Sequence, residues 1–290
     1  MAAGPHHTAR LNAYMGRMSL TVAPPLPETL PEDAQAELAQ AVARLETVSL
    51  AARIASMVGA PVEALRSRLP SGVQSMLDGA VRKALASAMQ AALRASPSSN
   101  PTPLPTAWFH RGLAAASGAA GGALGLPGTL VELPVSTTLL LRQIAAIAAE
   151  HGEDLADPLV AAECLKVFAL GGRDARDDAA ESGYFAVRVA LAEALKGAVG
   201  KGVAGVLLPG FLGPIAARFG GPVALKVSAQ AAPLIGAAGG AAINLAFLEH
   251  FRGVAQGHFT VRRLERLHGA GRVKAAYEAI AQGRDARFLG

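Results

Sequence analysis

Leu38, Val42, Leu45, Leu50, Ile54 and Val58 recur near helical spacing, and Val73, Leu77, Val81, Leu85, Met89 and Leu93 repeat the pattern up to about Arg94. Pro31 and Glu32 suit a first helical turn, while Gly59 and Pro61 stop the first run. The two series predict an amphipathic helical hairpin over residues 28–95. Residues 1–27 read as a disordered segment that leads into the Pro-rich TVAPPLPETLP. After the hairpin, SPSSNPTPLPT (residues 96–106) has four prolines and almost no periodicity, and reads as a linker.

From Ala107 the polar pattern thins. Leu113 to Val131 carries no charge, Glu132 interrupts, and Leu133 to Leu141 is again uncharged. Pro134 opens a helix expected to reach about Glu150, with Gly152 just past its end. In DPLVAAECLKVFALGG, Asp157 reads as N-cap, Pro158 as the first helical residue and Gly171 as terminator. A further helix is expected from about Asp178 to Val199, with Tyr184, Phe185, Val189, Leu191 and Leu195 along it. Gly197 to Leu248 is a second nearly uncharged region, holding only Lys201, Arg218 and Lys226. The end reads as two short amphipathic helices broken at Gly269 and Gly271. These elements form one expected helical domain over 107–282, followed by a tail over 283–290.

Each uncharged region contains the hexapeptide GAAGGA, at 118–123 and 236–241, with Gly118 and Gly122 in the first copy and Gly236 and Gly240 in the second. On a helix this spacing clears one stripe of side chains and lets a second backbone approach closely, and Asn244 suits a hydrogen bond beside that stripe. The expected fold is all-α, a multi-helix bundle with Gly/Ala-rich, closely packed hairpins. Val227 to Leu248 has 22 uncharged residues, long enough for a hydrocarbon core of roughly 30 Å. Its Ala and Gly, with Ser228, Gln230, Pro233 and Asn244, make insertion marginal, so a fold that meets the membrane is favoured over one that spans it.

Charge adds a location to this picture. The formal net charge is +5, and Phe251 to Gly290 alone holds eight Arg or Lys against three acids, 8 − 3 = +5. Arg252, Arg262, Arg263 and Arg266 are the expected basic face for an anionic membrane surface or lipid-like ligand. Aromatic and Gly-rich RNA-binding patterns are missing, which argues against nucleic acid. The single Cys164 excludes an internal disulfide and a Cys-based zinc cage, and the first residues have no apolar stretch of signal-peptide length. The expected setting is the cytoplasm, peripheral to the inner membrane.

Four motifs carry a resemblance. They are Gly-Leu-Pro-Gly (125–128) followed by Glu132, Gly-Ala-x-x-Gly-Ala-x-x-Asn ending at Asn244, the acid–histidine pair Glu249 and His250, and His-Phe-x-x-Arg-Arg-Leu-Glu from His258. With them the chain resembles the EcsC family of bacterial proteins over about Ala107 to Tyr277. The resemblance implies a mostly helical domain from an operon that also encodes an ABC transporter, and it brings no defined activity. Family members often have Asp where this chain has Glu132 and Glu249.

Glu132, Glu249, His250 and His258 are the catalytic candidates, because acids and imidazoles are the groups that move protons near neutral pH. The competing reading pairs Glu132 with Arg142 or Arg252 and leaves the histidines capped or salt-bridged. No H-E-x-x-H, G-x-S-x-G or P-loop pattern is present, so neither a metal nor a cofactor is expected. Three functions follow in order. The first is a non-enzymatic membrane-associated protein, accessory to a transporter or binding a lipid-like ligand. The second is a hydrolase-type enzyme using Glu132 with Glu249, His250 and His258. The third is a soluble domain that forms homo-oligomers through the glycine stripes.

Overall fold

The computed structural model describes residues 29–46, 50–59, 61, 64, 71–94, 133–172, 183–199, 209–230 and 236–288. Among these, nine helices and no strands are present. They are α1 Glu32–Leu45, α2 Leu50–Val58, α3 Ser71–Arg94, α4 described over 133–150, α5 Pro158–Leu170, α6 Tyr184–Val199, α7 Pro209–Gln230, α8 Gly236–His268 and α9 Ala270–Phe288. The all-α expectation holds. Gly118, Gly122 and Glu132 lie outside the described residues, as do the segment 1–27 and the linker 96–106.

Helix α8 is the axis of the molecule. Its 33 residues extend about 50 Å at 1.5 Å per residue. It packs against α1, α2, α5, α7 and α9, while α7 packs in turn on α2, α3, α5 and α6. Ile243, Phe247, Phe251, Val254, Phe259 and Leu264 are buried along α8 at helical spacing. Phe247 and Phe251 join Phe168 of α5 and Phe219 of α7 in one aromatic cluster, with ring centroids 4.8 to 5.9 Å apart. Few aromatics suffice because they meet at the crossing of three helices.

Three expectations change. The long first helix is two, since α1 ends at Leu45 with Glu46 as C-cap and α2 starts at Leu50. The uncharged run Val227 to Leu248 is divided between the last turn of α7 and the start of α8, and Val227, Ser228, Ile243 and Leu248 are buried in protein. Among the described residues, no helix is long and apolar enough to cross a membrane. The C-terminal end is not two short helices: α8 continues unbroken from Gly236 through Gly253 and Gly257, and Gly271 lies inside α9. Only Gly269 breaks the chain, in the left-handed region at φ 90°.

One glycine of α8 serves proximity. A Cβ on Gly257 would lie 2.8 Å from Cγ of Leu45 and 3.1 Å from the carbonyl oxygen of Ala41, so its bare backbone is what lets α1 lie against α8. Gly240 is buried, and Asn244 is buried facing Ser136 and Leu140 of α4 across a small void.

The best-read local element is α5. Asp157 caps it, its carboxylate accepting the Leu159 N–H at 2.8 Å, and Pro158 follows at the first position. Gly171 ends it at φ −77°, an ordinary right-handed value. The glycine is required there because a Cβ would stand 2.4 Å from the Phe251 ring.

Candidate functional site

A line of charged and polar side chains is buried where α5, α6 and the loop after α4 meet α8. Glu163 is the one acid on the apolar α5, and Lys166, one turn on, bonds it at 2.8 Å. His258 of α8 is wholly buried, with Nε2 3.1 Å from a Glu163 oxygen and Nδ1 2.9 Å from the Tyr184 hydroxyl. Burial lowers the His258 pKa against the pull of Glu163, so the ring is neutral. Its Nε2–H then donates to Glu163, and Nδ1 accepts from Tyr184. Burial alone would raise the Glu163 pKa, but the hydrogen bond from His258 and the charges of Lys166 and Arg262 overcome it and hold the carboxyl ionised. The Tyr184 hydroxyl is pushed up by burial and keeps its proton.

The network extends outward through arginines. Arg262 donates to both oxygens of Glu153, at 2.8 and 3.0 Å, and lies 3.3 Å from Glu163. Arg266 bonds the same Glu153 and reaches the His151 carbonyl at 2.6 Å. Glu153 is in position because Gly152 turns the chain at φ 77° after α4. Arg263 pairs with Glu37 of α1. Arg188 makes a two-pronged contact with Glu265, at 2.8 and 2.9 Å, and lies over the Tyr184 and Phe185 rings. Arg252 is 3.7 Å from Glu249 on its own helix. The four arginines expected to face a membrane are thus each near a carboxylate: Arg252 has one on its own helix, while Arg262, Arg263 and Arg266 tie α8 to other segments.

His250 and His258 do not converge. Eight residues apart on α8, they are displaced by about 12 Å along the axis and about 80° around it. Nε2 of His250 donates to the Gly171 carbonyl at 2.8 Å, and burial lowers the ring pKa. His258 serves Glu163 and Tyr184 instead. The expected hydrolase grouping therefore loses its shared focus on the described side, and its fourth member, Glu132, lies outside the described residues. No group of three or more His, Cys, Asp or Glu is placed to hold a metal among the described residues. Cys164 is buried, and its thiol is pushed up to about 12 by burial and by the Glu163 and Glu153 charges, so it stays protonated.

One open cleft of about 660 Å³ lies between the α1–α2 corner and α8. Ala43, Leu50 and Gly253 contribute to its apolar wall, and Arg44, Arg53 and His250 bring polar atoms to it. Ser56 and Glu249 also line it. Sequence reasoning found Glu249 and His250 but not the two arginines, which sit in ordinary amphipathic helices. It also missed Glu163 and Tyr184. Glu163 was visible as a lone acid in an apolar helix, whereas the partners that give it meaning come from α6 and α8.

Searches among curated proteins and among solved structures returned no match. The EcsC protein family matches residues 32–264, a span that takes in α1 to α3 as well as the region from Ala107 that carries the motifs. That extent agrees with the packing, since α1 lies on α8 and α3 on α7. The chain belongs to the EcsC protein family.

Proposed function

We propose that this protein is a non-catalytic binding module, peripheral to the inner membrane on its cytoplasmic side, which holds a lipid-like ligand and acts as an accessory to a transporter. The observation that carries the reading is the division of labour among its polar groups. Glu163, His258 and Tyr184 satisfy one another inside the bundle, away from the cleft, and an acid–base group without access to substrate transfers no proton to it. The cleft, by contrast, combines an apolar wall with exposed cations, the combination an amphiphile requires, and the acid and imidazole that also line it are engaged elsewhere, Glu249 beside Arg252 and His250 on the Gly171 carbonyl. The transporter partnership comes from the family resemblance.

Flotation of the purified protein with anionic vesicles, at low and at physiological salt, tests the membrane part. Co-flotation that weakens with salt is expected, and absence of flotation at low salt overturns it. Mass spectrometry of lipids retained after detergent-free purification reads the ligand directly.

A further inference from the structure

Arg44 and Arg53, the two arginines that line the cleft, differ from the arginines of the buried network and of α8. Arg188, Arg252, Arg262, Arg263 and Arg266 are all held by carboxylates. Arg44 and Arg53 are exposed, line the same cleft, and have no carboxylate partner among the described residues. The last turn of α1 accounts for Arg44, since the helix dipole welcomes a cation there. Folding does not account for Arg53. It stands in the first turn of α2, where the dipole disfavours positive charge and no acid offsets it, and its charge also opposes protonation of His250. An anion in the cleft would relieve both.

His250 adds a directional feature. Its Nε2 is committed to the Gly171 carbonyl as a donor, so in the neutral ring Nδ1 is a lone-pair acceptor. The cleft therefore offers guanidinium donors to an oxyanion and an imidazole acceptor to a hydroxyl. Ala43, Leu50 and Gly253 give the remainder of a ligand an apolar surface.

We propose that this cleft binds a phosphate ester, its oxyanion held between Arg44 and Arg53, a hydroxyl donating to His250, and its carbon skeleton lying on Ala43, Leu50 and Gly253. Arginine suits the phosphate because its planar fork of donors matches two oxygens at once. The assignment deepens the lipid-ligand reading and rests on it only for the source of the phosphate. A phospholipid headgroup and a soluble phosphate ester share the chemistry.

The full chain is tested with two probes, glycerol 1-phosphate by calorimetric titration and phosphatidylcholine vesicles containing phosphatidylglycerol by flotation. Two variants accompany it. Arg44→Glu with Arg53→Glu reverses exposed charges that hold nothing else. Gly253→Leu fills the cleft from α8, where an added Cβ meets nothing within 4 Å, and leaves every charge in place. Both variants are expected to weaken binding about tenfold or more without lowering the melting temperature. Wild-type flotation that both variants retain in full overturns the cleft and leaves the membrane reading standing. Arginine-dependent binding of glycerol 1-phosphate without flotation supports the cleft and overturns the membrane reading. Binding of neither probe overturns both.

Discussion

Replacing Tyr184 with phenylalanine removes a single oxygen from the most enclosed part of the bundle. The ring remains, with its stacking on Tyr277 at 5.2 Å, its edge contact with Phe185 at 5.0 Å and the Arg188 guanidinium above it. What disappears is the 2.9 Å hydrogen bond to Nδ1 of a histidine with no exposed surface. The loss combines a net hydrogen bond, about 1 kcal/mol, with the desolvation of a lone pair left without a donor, and the expected total is about 1–3 kcal/mol. Urea unfolding at neutral pH measures it. A second background decides the cause. With His258→Phe already made, the Tyr184 hydroxyl is itself buried without its acceptor, so Tyr184→Phe should then be neutral or stabilising. An equal cost in both backgrounds would mean that the hydroxyl acts through something other than His258, and the reasoning fails.

Two further outcomes follow from the same geometry. Gly172→Ala places a Cβ 2.2 Å from the Arg218 carbonyl oxygen, backbone against backbone, and should cost about 1–3 kcal/mol, whereas Gly79→Ala meets nothing within 4 Å and should stabilise by up to about 1 kcal/mol. Thermal melts compare the pair, and equal melting temperatures would contradict the close approach. Acid should destabilise in two stages. Burial holds His250 and His258 below 6.5 in the folded state, so as the pH falls through about 6.5 the unfolded chain takes up protons first and stability drops. Glu163 and Glu153 are held below 4.5 and add a steeper loss once the pH passes below about 4.5. Stability that rises on acidification from about pH 7 to about pH 5.5 would refute the neutral-histidine assignment.

The sequence was most legible where the physics is local. Asp157, Pro158 and Gly171 delimit α5 as their cap, first-turn and terminator chemistry predicts, although Gly171 is needed for the Phe251 ring and not for a left-handed turn. Helix propensity weighs Gly253 and Gly257 as breakers, yet α8 runs through both, and Gly257 exists for the backbone of α1. The basic C-terminal count did not reveal where its arginines find partners, because charge along a chain is not charge in space. Glu37 and Glu153, which engage Arg263 and Arg262, lie 226 and 109 positions away, and nothing local announces them. The cleft depends on the corner between α1 and α2 and on its apposition to α8, so its arginines had no pattern to betray them.

That separation of partners bears on how the protein is made. The first helix joins the end of the chain through Glu37 to Arg263 and through Glu46 to the Tyr277 hydroxyl, spans of 226 and 231 residues. During synthesis α1 emerges long before the surface it is meant to cover. Its apolar face, Leu38, Val42 and Leu45, must wait for nearly the whole polypeptide to leave the ribosome, at roughly 5–20 residues per second. A premature stop before α8 would therefore strand α1 with nothing to close upon, and the newborn chain depends on its last quarter to shelter a helix near its start.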